Sequence, residues 1–220
     1  MSHRADADIV LLTASIVEAG KAFAVELEPP KHTEEFRNTP VSSERYSEIK
    51  ITEISICLEH VCFMLHFATR VMSGKSRTHG DIMHARMSSD IIDIFSSYFT
   101  DVFDENIRTV RSLVTERINA TEQIYSKKML VSDPMKPSDI FQTVVFAAAK
   151  EICNLAGRDR TSRNQVVIAA VGEDFLGMSD EVAYHPIVAK RLSNEISTLK
   201  LIERTLAIHD KLSNKSSEVP

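Results

Sequence analysis

Apolar residues at Ile9, Leu12, Ile16, Ala19, Phe23 and Leu27 recur every three or four positions, which sets them on one face of a helix from about Ala5 to Glu26. Pro29 and Pro30 end it, and a polar stretch runs to Pro40. The next helix, with Ser42 as N-cap and Val41 and Tyr46 spaced as a hydrophobic staple, is expected to continue to about Met72. From Ile51 to Met72 it is almost continuously apolar, the pattern of a central buried helix. Glu59, His60 and His66 interrupt that run, and each must reach solvent, a hydrogen-bond partner or a ligand.

Ser73 to Ser76 breaks the pattern. A third helix beginning near Thr78 or Gly80 carries Ile82, Met83, Met87, Ile91, Ile94, Phe95 and Phe99. Thr100 to Glu105 reads as a junction, with Asp101 or Asp104 capping a fourth helix through Ile107, Val110, Val114, Ile118 and Ile124 to Lys127 and Lys128. Ser138 is the expected N-cap of a fifth helix, Ile140 to Leu155. The apolar segment Gln165 to Phe175 is assigned to helix over strand because no partner strand is evident. A last helix from about Pro186 presents Val188, Leu192, Ile196, Leu199, Ile202 and Leu206 as a stripe. The sequence therefore predicts an all-α protein: a compact bundle of six or seven unequal helices in one domain over 1–212, with a polar tail at 213–220.

Composition supports that class. The chain is 43% hydrophobic and 26% charged, with only 6 Gly, 7 Pro and no Trp, which disfavours a turn-rich β architecture. The formal net charge is -5. Its excess lies early, between Asp6 and Glu59, where Asp and Glu outnumber Lys and Arg eleven to five. Such a chain lacks the basic footprint of generic nucleic-acid binding. Cys57, Cys62 and Cys153 sit among apolar residues and read as buried thiols of a reducing compartment, so a cytoplasmic location is expected. The N-terminus lacks a secretory apolar region, and Ile54 to Phe67 is short for a membrane span, so no membrane partner is expected.

The strongest candidate chemistry is a histidine and carboxylate cluster. Glu53 with His60, and Glu59 with His66, lie seven apart on one helix face; Asp81 and His84 lie three apart on the next helix, expected to pack antiparallel. His60, His66, Asp81 and His84 could then hold zinc or iron in a mononuclear site. Against this, neither Glu-x-x-His nor His-Glu-x-x-His occurs, and the same side chains can serve as hydrogen-bonded polar edges of core helices. Arg158, Arg160 and Arg163 form the densest cationic loop, able to clamp a phosphate or an acidic partner or simply to lie in solvent.

Other motifs fall short. Ser73-Gly74-Lys75-Ser76 resembles part of a phosphate-binding loop, but Thr69 stands where glycine is needed and a helix precedes it. His209-Asp210 lacks the later Asp that a phosphohydrolase ligand set needs, and no Gly-x-Ser-x-Gly elbow occurs. Asp90 with Asp93, and Asp101 with Asp104, are paired acids that could hold Mg²⁺, but the first pair reads as solvent-facing and the second as a helix cap. Met83, Met87, Phe95, Tyr98, Phe99 and Phe103 could line a ligand pocket, though their helical spacing favours core packing.

Lacking a catalytic signature, the chain is expected to be a non-catalytic cytoplasmic interaction or regulatory protein with a protein partner. The alternatives are a metal-dependent helical-bundle enzyme and a small-molecule sensor with an apolar pocket between helices. Leu201 and Ile208, away from the last helix's stripe, suggest a second apolar side and a two-fold homodimer, unless the N-terminal helix covers them.

Overall fold

The computed structural model describes residues 3–27, 43–103, 106–130, 143–156 and 180–214. Among them are seven helices and no strand: α1 His3–Glu26, α2 Ser43–Ser73, α3 Arg77–Phe103, α4 Ile107–Tyr125, α5 Val144–Ala156, α6 Asp180–Thr198 and α7 Leu201–Ser213. The fold is an all-α bundle. Helix α2 is its axis and packs against α1, α3, α4, α5 and α7, as its apolar run demands. Cys57, Val61, Met64, Leu65 and Ala68 are all buried there. The stretch Thr52–Ser73 is long and apolar enough to cross a membrane by length and composition, but most of it is buried by the neighbouring helices.

Two glycines permit close packing against α2. A β-carbon at Gly20 would meet Val61 Cγ2 at 3.0 Å and both Cys57 Sγ and His60 Nδ1 at 3.2 Å, so α1 can lie this near only with a bare Cα. At Gly80 a β-carbon would fall 1.9 Å from Ser73 Oγ. That contact closes the tight α2–α3 hairpin, where the Ser76 hydroxyl accepts from the His79 N–H at 3.3 Å.

Several boundaries differ from those expected. Helix α3 runs through Asp101 to Phe103, so Asp101 is not a cap; Asn106 is, with an extended backbone and a side chain that accepts from the Arg108 N–H at 2.9 Å. Helix α4 ends at Tyr125, before the two lysines expected to neutralise its C-terminus. Arg70 of α2 supplies that charge instead, donating through Nη1 to the carbonyls of Tyr125 at 2.9 Å and Lys128 at 2.6 Å. Helix α5 opens later than expected, where Thr143 Oγ1 accepts from the Phe146 N–H at 3.2 Å. The caps expected at Ser42, Asp104 and Ser138, and the segment Gln165 to Phe175, lie outside the described residues.

The expected single last helix is two. It begins at Asp180, and Lys200, with φ 49° and ψ 41°, breaks it between α6 and α7. The break rotates the stripe: Ile202 is exposed, while Leu201, Thr205 and Ile208 turn inward. Helix α7 packs on α1 and α2 and is tied to α1 by the Lys211–Asp8 ion pair. Leu201 and Ile208, the proposed dimer surface, are therefore used in the chain's own core.

Candidate functional site

Glu59, His60 and His66, which interrupt the apolar run of α2, are fully or almost fully buried. Glu59 faces α4, where Arg117 Nε donates to its Oε2 at 2.8 Å and Arg117 Nη2 donates to the same oxygen. The Tyr125 hydroxyl donates to Oε1, and Glu151 Oε2 of α5 stands 3.6 Å from the same Nη2 of Arg117. Burial pushes the Glu59 carboxyl above its usual range, against the lowering pull of Arg117 and of the hydrogen bond from Tyr125. Burial also works against the Arg117 charge, but Glu59, together with Glu151 and Tyr125, outweighs it, so the guanidinium is held more firmly protonated.

His60 turns the opposite way. Its Nε2 lies 2.5 Å from Glu195 Oε2 on α6, its ring packs on Phe23 at 4.8 Å between centroids, and Arg191 covers the Phe23 ring at 4.7 Å. Its Nδ1 is buried beside Gly20 without a hydrogen-bond partner. This contact joins residues 135 positions apart in the sequence.

His66 shares its α2 face with Glu59, as the spacing of seven requires, and both reach Tyr125, whose ring meets that of His66 edge-on at 5.7 Å. His66 Nε2 is 3.3 Å from both the Ile118 carbonyl and Thr121 Oγ1. Its ring also lies 5.5 Å from that of His84. Both histidines, with Asp81, Arg70, Glu122 and Ser126, line a polar cavity of about 120 Å³. Three of the four expected metal-site residues thus come to one cavity; His60 does not. Among the described residues no group of three His, Cys, Asp or Glu is disposed to hold a metal ion.

Burial, reinforced by His84, lowers His66 to about 4. Its folded pKa is below the unfolded value of about 6.5, so the unfolded chain binds the extra proton. The associated stability is complete above about pH 6.5 and is lost as pH falls to about 4, by about 2–3 kcal/mol. His79, lowered by burial and by the His209 ring at 5.0 Å, acts in the same direction. Asp90 and Glu59, both raised by burial, act in the opposite one. Denaturant titrations from pH 7 to pH 4 should show this loss, and His66→Gln should flatten it; an equally steep loss in the variant would remove His66 as its source.

A second, larger cavity of about 580 Å³ opens where the C-terminal half of α1, the N-terminal half of α2 and the C-terminal part of α3 meet. Buried Val17, Ala24, Ile54, Cys57 and Phe95 form its floor, and exposed Lys21, Val25, Asp93, Ile94 and Tyr98 its rim. Glu53 and Ser97 complete the described lining. Lys21 pairs with Glu18 at 2.8 Å and Asp93 with Arg111 of α4 at 2.5 Å, both at the surface. Burial pushes the Cys57 thiol up to about 12, opposed by nearby Lys21, so the floor is uncharged and the sulfur is a poor nucleophile. The structure thus divides the Met and aromatic stretch: Met83 and Met87 are core, while Phe95 and Tyr98 line the cavity.

Periodicity identified the buried faces but not this cavity, because a cavity wall and a packed wall use the same residues. Ile94 and Tyr98, apolar yet standing out of the buried face, were the available signal. Arg158, Arg160 and Arg163 lie outside the described residues. No protein-family model matches the chain, and neither a curated protein nor a solved structure is significantly similar to it.

Proposed function

We propose that the chain is a non-catalytic small-molecule-binding protein, a sensor or carrier whose ligand enters the cavity between α1, α2 and α3. The observation that carries this reading is the cavity itself. Its volume of about 580 Å³ falls within the range of about 300–1,000 Å³ typical of ligand sites, and its lining is mainly apolar with a few polar groups at the mouth. Binding a ligand needs no activated group here, which agrees with a floor whose one thiol stays protonated. A reducing, cytoplasmic setting belongs to the same proposal, supported by three buried cysteines with no disulfide among them.

The test uses the absence of native Trp: Tyr98→Trp places a single indole at the rim. Titration with decanol is expected to change its emission saturably, and Ala24→Phe in the same background should abolish the change by filling the cavity. In the native chain, decanol should shift the methyl resonances of Val17, Ile54 and Ile94. A linear, unsaturable response, or saturation untouched by Ala24→Phe in a chain that keeps its helical circular dichroism, would overturn the reading.

A further inference from the structure

We infer that the ligand of this cavity is an uncharged amphiphile, a hydrocarbon chain or ring system that ends in a hydroxyl or carbonyl group. This rests on the cavity being a ligand site and goes on to name the ligand's class. The floor at Val17, Ala24, Ile54, Cys57 and Phe95 is buried. With the Cys57 thiol held protonated it carries no charge, so it receives hydrocarbon and penalises any ion placed there. The polar end of the ligand then sits at the mouth.

The charged side chains of the described lining are already engaged within the protein. Lys21 stands 2.8 Å from Glu18, and Arg111 of α4 donates to Asp93 at 2.5 Å. Glu53, half-buried in the lining, has a partner of its own. An incoming ion that takes a member from one of these surface pairs gains little, because it exchanges one weak pair for another. It must then either lose hydration without meeting unpaired charge, or stay in water and draw hydrocarbon off the floor. Each methylene withdrawn lowers affinity about fourfold. A neutral head escapes that choice. The exposed hydroxyls of Ser97 and Tyr98 belong to the lining and can hydrogen-bond an alcohol or a carbonyl.

Isothermal titration of the full chain at neutral pH with decanol, decanoate and decylammonium isolates the head group, because the three share one hydrocarbon. Decanol is expected to bind about tenfold more tightly than either ion, the equivalent of roughly two methylenes withdrawn. Arg111→Gln, a change at the surface, frees Asp93. It should tighten decylammonium about threefold and leave decanol unchanged. An ion that binds as tightly as decanol, or a decylammonium affinity that Arg111→Gln does not move, would overturn the neutral assignment while leaving a ligand site in place. Failure of all three to saturate would overturn the ligand site as well.

Discussion

Arg117→Ala is expected to destabilise the fold by about 3–5 kcal/mol, because it strips the compensating charge from a carboxylate with no exposed surface. Glu59 would keep only the hydroxyl of Tyr125 and would have to take up a proton or drag water into the core. Denaturant unfolding at neutral pH measures the loss. Arg117→Ala/Glu59→Gln should recover part of it, since a neutral amide removes the orphaned charge and the two substitutions are coupled. A single-variant loss below about 1 kcal/mol would mean the pair behaves like a solvent-exposed one.

Leu65→Ala is expected to remove about 3–5 kcal/mol, the upper part of the range for a buried leucine. Leu65 is fully buried on the helix that five others pack against, leaving the walls little freedom to collapse into the space vacated. A loss well under 1 kcal/mol would place the side chain outside the packed core, contrary to its burial.

The central place of α2 was legible in the sequence because a long apolar run can satisfy its surface only by burial on all sides. The partners of its ionisable residues were not. Arg117 is 58 positions from Glu59 and Glu195 is 135 from His60, separations at which helical spacing carries no information. The break at Lys200 was equally hidden, since neither Gly nor Pro marks it. A left-handed residue with a side chain is unfavourable by about 1–2 kcal/mol, and burial of Leu201 and Ile208 against α1 and α2 offsets that penalty. The cavity was half visible: its aromatic lining stood out in the sequence, but the emptiness beside it depends on how three helices meet.

Arg117, Thr121 and Tyr125 recur every fourth position on α4, and this ladder faces Glu59 and His66 on α2. Apolar side chains alone tolerate sliding, because one methyl group serves nearly as well as another at a given depth. These rungs do not. Moving α4 by one turn, about 5.4 Å, would set Thr121 opposite Glu59 and leave a buried charge without its guanidinium. The polar ladder thus acts as a key in a lock, fixing the axial position of α4 against α2.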